Sequence, residues 1–444
     1  MKYISTRDNK KTYNFIDTFL NGLAHDGGLY IPKKIPRLSK ITLKRLSKLN
    51  YNDLAYEIIK IYTGNTFSKN ELKKIIKNSY NKFDSNNVIK FSRVKKFNLV
   101  ELYHGPTLAF KDIAMQVIGN MYETVLSKSK NKINLVTATS GDTGAAAIDA
   151  VKNKKNLRIF VLHPRGKVSI TQRKLMTTVN SKNVFNVAVK GSFDDCQTLV
   201  KSMFNDRHFR RSINMSGVNS INWARIVVQI VYYFYSHFRL SDKNKKSVFS
   251  VPTGNFGDIY AGYIAYKMGL PISKLIIATN ENDLLYKFLK NGIYKPSKVK
   301  FSISPSMDIQ VASNFERLIS SYYNNNSKKI SKLMKQLNNR GFYKIDRNIL
   351  KNIKNIFYSK SVNAKDTKKT IKLVYKYNSK KSENLFCLET AHPAKFRETI
   401  YKILKRNPKI PSGISKNLKK KEFYKVLPNN LNKIKNYIKA NRLH

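Results

Sequence analysis

A lysine that follows a tight turn is the first candidate for chemistry. Segment 101–112 has the sequence ELYHGPTLAFKD, so Lys111 follows Ala109 and Phe110 and precedes a helical pattern that begins at Ile113. Apolar neighbours desolvate an ammonium group, which frees the amine to act as a nucleophile or a base. Most lysines in so basic a chain are solvated surface charges, but this environment favours a functional role for Lys111.

A loop at 139–144, with the sequence TSGDTG, connects an apolar run to an alanine-rich helical pattern. Hydroxyl and backbone N–H groups at the start of a helix form an anion site. The loop is not a Walker phosphate loop, because no Gly-Lys-Ser/Thr follows. It is also explained by a well-capped turn, with Ser140, Asp142 or Thr143 as the N-cap. Both interpretations stay open.

A second loop of this kind lies at 252–258, with the sequence PTGNFGD. Gly254, Asn255 and Gly257 allow positive φ angles, so consecutive N–H groups can form an anion nest. One such loop alone is a weak signal. Two anion-binding turns and a desolvated lysine indicate a phosphate-bearing cofactor that is held covalently, with an anionic substrate beside it.

The elements that must position these loops alternate along the middle of the chain. Apolar runs predict buried strands at 133–139, 157–162, 184–189, 248–253 and 275–279. Amphipathic stretches predict helices at 145–152, 169–179, 194–203, 223–238 and 258–268. This alternation predicts βαβ units and a parallel sheet, in which ligands bind beyond the carboxyl ends of the strands.

The charge of the chain is its most unusual overall property. There are 84 Lys and Arg against 27 Asp and Glu, a formal net charge of +57, which is typical of nucleic-acid binders. The lysines are spread over the whole chain and mixed with Asn, Ile, Tyr and Phe, the residues of A/T-rich codons. No nucleic-acid-binding motif is present. We therefore interpret the charge as compositional bias and expect no specific nucleic-acid partner.

Composition excludes several other classes of protein. Two cysteines, Cys196 and Cys387, cannot build a disulfide framework or a four-cysteine zinc site, and we expect no metal. No run of about 18 apolar residues predicts a membrane span, and the N-terminus has no apolar signal region. The expected location is the cytoplasm, with no membrane partner.

Several segments resemble the threonine synthase family, whose members are pyridoxal-phosphate enzymes of the tryptophan-synthase-β-like fold, also called fold type II. The resemblance covers nearly the whole chain, and the GLA-x-DGG-L pattern separates this family from dehydratases and cysteine synthases of the same fold. The segments that carry it lie at 22–30, 104–112, 137–144, 163–166, 219–225, 254–258 and 390–396.

The resemblance implies an α/β fold with two open parallel-sheet αβα subdomains, the cofactor between them, and a mainly helical N-terminal domain. The expected domains are 1–90 at the N-terminus, 91–400 as the catalytic core and 401–444 as a basic extension. The core includes a Lys/Asn-rich insertion at about 319–384.

The resemblance also implies a role for individual residues. Lys111 would form the Schiff base with pyridoxal 5′-phosphate and later shuttle protons, and the hydroxyl of Thr390 would bond the pyridine nitrogen. The cofactor phosphate would be held by Gly254, Asn255, Phe256, Gly257 and Asp258. The substrate carboxylate and the edge of the cofactor ring would meet Thr139, Ser140, Asp142 and Thr143. Weaker candidates for contacts with the substrate or its phosphate are His104, Thr107 and Arg225.

The implied reaction converts O-phospho-L-homoserine and water into L-threonine and phosphate, in a monomer or a homodimer. The enzyme alternative is a fold-type-II lyase such as a threonine or serine dehydratase, and the non-enzyme alternative is a nucleic-acid binder. Two features depart from the family. The Pro-His-Thr-type segment expected upstream of Thr390 is not found, because residues 361–367 contain neither Pro nor His, and Asp8 stands where glycine is usual.

Overall fold

The structure is a computed structural model that describes residues 1–83, 87–94, 97–240, 245–363, 365–366 and 384–443. Residues 364 and 367 of segment 361–367, and all residues from 367 to 383, lie outside this range. The strands are β1 Tyr3–Ser5, β2 Tyr30–Pro32, β3 Lys90–Val94, β4 Phe97–Glu101, β5 Ile133–Ala138, β6 Leu157–Pro164, β7 Val184–Lys190, β8 Met215–Ser216, β9 Ser247–Pro252, β10 Ile272–Thr279, β11 Ile293–Tyr294, β12 Tyr343–Lys344, β13 Phe357–Ser361, β14 Leu385–Glu389 and β15 Lys425–Pro428.

Helices connect most of these strands. They are α1 Phe15–Asn21, α2 Lys40–Leu46, α3 Tyr51–Thr63, α4 Lys69–Tyr80, α5 Lys111–Ser129, α6 Asp142–Val151, α7 Ile170–Thr177, α8 Phe193–Asn205, α9 Arg207–Ser212, α10 Trp223–Leu240, α11 Gly257–Lys267, α12 Leu284–Asn291, α13 Phe315–Tyr322, α14 Ser327–Arg340, α15 Arg347–Ile356, α16 Arg397–Leu404, α17 Ser412–Leu418 and α18 Leu431–Ala440. Short 3₁₀ turns lie at Gly64–Thr66, Pro305–Met307 and Pro393–Phe396. No helix of the described residues is long and apolar enough to cross a membrane.

The chain forms two compact units, each built from three separate segments. The first comprises Met1–Lys73, Ile89–Leu102 and Ser220–Thr390, and the second comprises Lys74–Val88, Tyr103–Asn219 and Ala391–His444. The expected boundaries at residues 90 and 400 remain predictions.

The first unit contains a six-stranded sheet in the order β13-β10-β9-β14-β4-β3. All neighbours are parallel except β3 and β4, which form an antiparallel pair at one edge. The predicted strands at 248–253 and 275–279 are β9 and β10 of this sheet. Because β9 and β14 are parallel neighbours, the loop after β9 and Thr390 after β14 leave the sheet at the same edge.

The second unit contains a five-stranded parallel sheet in the order β15-β7-β6-β5-β8. The predicted strands at 133–139, 157–162 and 184–189 are its central members. Their apolar runs are continuous rather than alternating because helices cover both faces of a parallel sheet. The C-terminal segment belongs to this unit: Ile434 and Ile438 of α18 are fully buried against the apolar side chains of β5, β6 and β7.

The N-terminal GLA-x-DGG-L pattern has a structural role in the first unit. The Asp26 carboxylate accepts hydrogen bonds from the Ser5 hydroxyl at 2.9 Å and the Gly28 N–H at 2.8 Å, next to the β1–β2 ribbon. A Cβ atom on Gly28 would lie 2.3 Å from Oγ of Ser5. Only glycine therefore fits this contact, and the segment fixes the N-terminal ribbon.

Candidate active site

The turn before Lys111 is organised by the buried carboxylate of Asp112. Asp112 accepts hydrogen bonds from the Thr107 N–H at 2.8 Å and the Thr107 hydroxyl at 2.6 Å. A Cβ atom on Gly105 would lie 2.4 Å from Cβ of Asp112, so glycine is required where the chain turns. Burial raises the pKa of Asp112 to about 6, although its bonds with Thr107 and the charge of Lys395 oppose that rise.

Lys111 is the first residue of α5, and its side chain is 15% exposed. Its ammonium group lies 3.3 Å from Oδ2 of Asp142 and 5.0 Å from the ring centroid of Phe110. The lysine is therefore partly desolvated, held between an aromatic ring and a carboxylate. Such an environment suits an amine that must react.

Asp142 is the first residue of α6 and connects several basic and polar groups. Its Oδ1 lies 2.7 Å from the ammonium group of Lys395 and accepts a hydrogen bond from Nε2 of Gln172 at 2.8 Å. Burial by itself would raise the pKa of Asp142, but the charges of Lys395 and Lys111 and the bonds from Lys395 and Gln172 hold it well below its usual range. Asp142 is therefore an anion at every pH of interest.

The loop at 139–144 is capped differently from the prediction. The N-cap of α6 is Gly141, with φ of 134°, and not Ser140, Asp142 or Thr143. The hydroxyl of Thr139 accepts hydrogen bonds from the N–H groups of Gly141 and Gly144, both at 2.9 Å. Thr139, which lies one residue before the predicted N-cap candidates, thus supplies the side-chain oxygen that accepts these N–H groups. The sequence gives no sign of this geometry.

The hydroxyl groups of Ser140 and Thr143 form no hydrogen bond with any residue that the structure describes. Both side chains are half-buried at the start of α6, where the helix dipole favours an anion. This loop can therefore bind a carboxylate through these two hydroxyls, while the Thr139 hydroxyl is already used inside the loop.

The loop at 254–258 lies in the first unit, at the start of α11. Phe256 has φ of 63°, whereas Gly254 and Gly257 do not have positive φ angles. The expected positive φ at the glycines or Asn255 is therefore wrong. A non-glycine residue in this conformation is strained, and such strain is concentrated at functional sites.

Hydrogen bonds from Asn314 fix the backbone of this loop. The Asn255 carbonyl accepts hydrogen bonds from the backbone N–H and the side-chain amide of Asn314, both at 3.0 Å. The backbone N–H groups of Gly254, Asn255 and Phe256 donate no hydrogen bond to any residue that the structure describes. Unbonded N–H groups at a helix start are suited to a phosphate.

The side chain of Asp258 is bonded to two tyrosines of α10. Its Oδ1 accepts hydrogen bonds from the hydroxyls of Tyr232 and Tyr233 at 2.5 and 2.9 Å. Asp258 can therefore contribute its backbone N–H to an anion, while its carboxylate anchors α11 to α10.

Thr390 follows β14 at the edge of the sheet from which the 254–258 loop also leaves. Its side chain is half-buried, and its hydroxyl bonds no residue in the described ranges. A hydroxyl and a set of unbonded N–H groups at one sheet edge fit the ring nitrogen and the phosphate of pyridoxal phosphate. The donor groups present are therefore compatible with this cofactor.

The weaker candidates have different surroundings. Thr107 is 2% exposed, and its polar groups are bonded to Asp112 and Lys395. Arg225, in the first turn of α10, is 3% exposed, and burial lowers the pKa of its guanidinium group to about 10. His104 is half-buried beside the ring of Tyr103, at a centroid distance of 4.9 Å.

Comparisons with known proteins identify the family. Family models match at residues 2–80 (threonine synthase N terminus), 89–340 (pyridoxal-phosphate dependent enzyme) and 370–438 (threonine synthase, C-terminal). The chain belongs to the threonine synthase family. It is therefore a pyridoxal-phosphate-dependent lyase of fold type II, as the resemblance implied.

Individual relatives match this chain over nearly their whole length. Threonine synthase of Pseudomonas aeruginosa is 38% identical over 99% of this chain and 98% of its own. Threonine synthase of Saccharomyces cerevisiae is 40% identical over 97% of this chain and 93% of its own. A crystal structure of PLP-bound threonine synthase from Brucella melitensis superposes with a TM-score of 0.94 and 38% identity, covering 100% of both chains.

Sequence reasoning missed two members of the site in the second unit. Lys395 and Gln172 were not predicted, yet both bond Asp142. The available signal for Lys395 was its place between Ala394 and Phe396, the same kind of apolar flank that singled out Lys111.

Proposed function

We propose that the protein converts O-phospho-L-homoserine and water into L-threonine and phosphate. The observation that carries this proposal is the match to the threonine synthase N-terminal model at residues 2–80, since this segment is what distinguishes the family within its fold. The partly desolvated Lys111 and the N–H groups before α11 supply the chemistry that the reaction needs.

Lys111 is the covalent attachment point of the cofactor and the base that moves protons at the substrate. When bound, pyridoxal phosphate withdraws electrons from the substrate so that its carbon–hydrogen bonds become acidic. Lys111 suits the proton transfers because its amine is partly shielded from water and faces Asp142. Asp142, in turn, holds Lys111 toward the start of α6.

The remaining roles follow from the chemistry of each group. The N–H groups of residues 254–258 bind the cofactor phosphate, and the Thr390 hydroxyl bonds the pyridine nitrogen. The hydroxyls of Ser140 and Thr143 bind the substrate carboxylate, in a loop that Thr139 shapes. Thr107 positions the turn before Lys111, and the candidates for the leaving phosphate are His104 and Arg225.

The test is an assay of the purified protein with O-phospho-L-homoserine, in which phosphate and threonine are both measured. We expect equal amounts of the two products, and loss of at least about a thousandfold in rate for Lys111→Ala. Turnover by Lys111→Ala at the wild-type rate would contradict the assignment. Production of 2-oxo acid and ammonia from threonine or serine, with no phosphate release from phosphohomoserine, would favour a dehydratase.

We also propose that the protein works in the cytoplasm as a monomer or a homodimer, without a specific nucleic-acid partner. The two cysteines, of which Cys196 is buried and Cys387 half-buried, suit a reducing compartment. Light scattering after gel filtration measures the oligomeric state, and a larger assembly would contradict this proposal.

A further inference from the structure

Lys395 is a fully buried lysine in the same unit as Lys111. Its side chain is 0% exposed, and its ammonium group lies 2.7 Å from Oδ1 of Asp142 and donates a hydrogen bond to the Thr107 carbonyl at 2.8 Å. A buried ammonium group is stable only when it is paired and hydrogen-bonded. Lys395 therefore has a defined place in the site rather than a solvated position on the surface.

The segment that carries Lys395 is fixed to the loop of Lys111. The backbone N–H of His392 donates to the carbonyl of Leu108 at 3.0 Å, and Ala391 forms an isolated β-bridge with Ala109. The Nδ1 atom of His392 caps the 3₁₀ turn that leads to Lys395. The position of Lys395 is therefore set independently of the side chain of Lys111.

The two oxygens of Asp142 have unequal partners. Oδ1 contacts Lys395 and Gln172 at 2.7 and 2.8 Å, whereas Oδ2 lies 3.3 Å from Lys111. Charge-assisted hydrogen bonds are strongest at the shorter distance. The tighter ion pair thus belongs to the lysine that takes no covalent part in the proposed reaction.

The inference rests on the proposed function, which requires Lys111 to be neutral as a free amine. If Lys111 were the sole cation at Asp142, each neutral state of Lys111 would leave a buried carboxylate uncompensated, which is strongly unfavourable. Lys111 would then stay protonated to a higher pH and react more slowly.

We propose that Lys395 is a positioning residue whose ammonium group stays paired with Asp142, so that this carboxylate is compensated whether Lys111 is charged or neutral. The charge of the Asp142–Lys395 pair sums to zero. The Lys111 amine therefore lies beside Asp142, an oriented hydrogen-bond acceptor, but experiences a weaker negative field than an isolated carboxylate would exert.

Other titratable groups near Lys111 do not replace Lys395. Asp112 follows it on α5 and bonds Thr107, and Asp149 on α6 bonds Gln116 and forms an ion pair with Lys152. Asp142 contacts Lys111 directly, and Lys395 contacts Asp142. The other titratable groups on the segments that carry these three residues include Asp112, Asp149, His104 and His392. Among the residues of this set that the structure describes, Lys395 is the basic side chain that forms an ion pair with Asp142.

The experiment measures how fast the full chain attaches pyridoxal phosphate as a function of pH, after its own cofactor has been removed with hydroxylamine. The growth of visible absorbance gives the rate, and its pH midpoint reports the Lys111 amine. For Lys395→Met we expect the midpoint to rise by about one pH unit or more, because Asp142 then acts on Lys111 alone. Lys395→Arg should keep the wild-type midpoint. Lys152→Met, which breaks the Lys152–Asp149 ion pair at the C-terminal end of α6, should leave the midpoint unchanged.

Two further variants keep the test decisive if Lys395→Met does not fold. Asp142→Asn leaves Lys395 as an uncompensated cation and should lower the midpoint by about one pH unit or more. The double variant Asp142→Asn with Lys395→Met, which removes both charges, should return toward wild type. A purely structural role of Lys395 predicts that Lys395→Met lowers thermal stability and leaves the midpoint unmoved, both alone and when added to Asp142→Asn, and that result would overturn the inference.

Borohydride trapping separates failure of this inference from failure of the proposed function. Reduction of the wild-type holoenzyme followed by peptide mass spectrometry should find the cofactor on Lys111. A label on another residue would overturn the proposed function itself. A label on Lys111 together with unmoved pH midpoints would overturn only the role of Lys395.

Discussion

At the scale of single residues, burial separates the polar groups that hold the site together from those that are available to ligands. The side-chain oxygens of Asp112 and Thr139 and the Oδ1 atom of Asp258 are bonded to neighbours on the chain. Ser140 and Thr390 are half-buried, and in the described ranges nothing bonds their hydroxyls. Removal of a hydroxyl that bonds no neighbour should weaken ligand binding without changing the fold, because no hydrogen bond within the protein is lost.

Thr390→Ala should weaken the cofactor's function while the fold stays intact. Loss of one hydrogen bond to the pyridine nitrogen should lower the turnover rate by about 3- to 10-fold. Thr390→Ser, which keeps the hydroxyl, is the matched control. The measurement is kcat with saturating pyridoxal phosphate, with circular dichroism to verify the fold, and unchanged kinetics would remove Thr390 from the site.

Asp112 should make stability depend on pH in a characteristic direction. Its pKa is raised by burial to about 6 in the folded chain, above its ordinary value of 3.8, so the folded state binds the proton more tightly than the unfolded state. Its contribution is fully present below about pH 4 and is lost as pH rises through about 6. Urea unfolding at pH 4.5 and 6.5 should show a weaker loss with rising pH for Asp112→Asn than for wild type; an identical loss would contradict the burial of a titrating carboxyl.

At the scale of elements, the sequence predicted those strands and helices whose residues form a continuous hydrophobic pattern. Strands β5, β6, β7, β9 and β10 were predicted from their long apolar runs, and helices α6, α7, α8, α10 and α11 were predicted from their helical period. Strands β4 and β14 were missed because they are short and alternate half-buried with buried residues.

What the sequence could not predict depends on tertiary contacts. Lys111 was found from its apolar neighbours, but the partners of Asp142 come from positions 172 and 395, which no local pattern connects. The positive φ at Phe256 rather than at a glycine results from the packing of its ring against Phe315, at a centroid distance of 5.0 Å, and against Phe357. Local rules assign such a conformation to glycine.

The spacing between α5 and α6 should control both stability and the Lys111–Asp142 contact. A Cβ atom on Gly119 of α5 would lie 2.4 Å from the carbonyl oxygen of Ala150 on α6, so Gly119→Ala must push the two helices apart. Overpacking of this kind costs about 1–3 kcal/mol. Urea unfolding should show this loss, and the visible absorbance of the bound cofactor should change, because α5 and α6 begin at Lys111 and Asp142.

The control for this variant is Lys128→Ala, an exposed position in the last turn of α5. Surface substitutions usually change stability by less than about 0.5 kcal/mol. Equal stability of the Gly119→Ala and Lys128→Ala proteins would show that the helices are not in close contact at Gly119.

At the scale of the whole molecule, the net charge of +57 has to be reconciled with an enzyme for anionic ligands. The groups that the two units offer to anions are mainly neutral: hydroxyls of Ser140 and Thr143 and the N–H groups of 254–256. Lys395 and Lys111 are near Asp142, whose charge offsets one of theirs. The bulk of the positive charge therefore acts on substrate only from a distance, and salt screens charges beyond about 8 Å at physiological ionic strength.

Ionic strength should consequently affect substrate affinity much less than the loss of one hydroxyl. Between 0.05 and 0.5 M sodium chloride we expect KM for O-phospho-L-homoserine to change by less than about 3-fold, because steering by distant charges is modest once it is screened. Ser140→Ala should raise KM by about 10-fold or more, since a hydrogen bond to a carboxylate is lost. Chloride is used because phosphate or sulfate would compete directly for the anion sites. A KM that rises tenfold with salt, together with an unaffected Ser140→Ala enzyme, would show that the field of the whole molecule, rather than the loop at α6, captures the substrate.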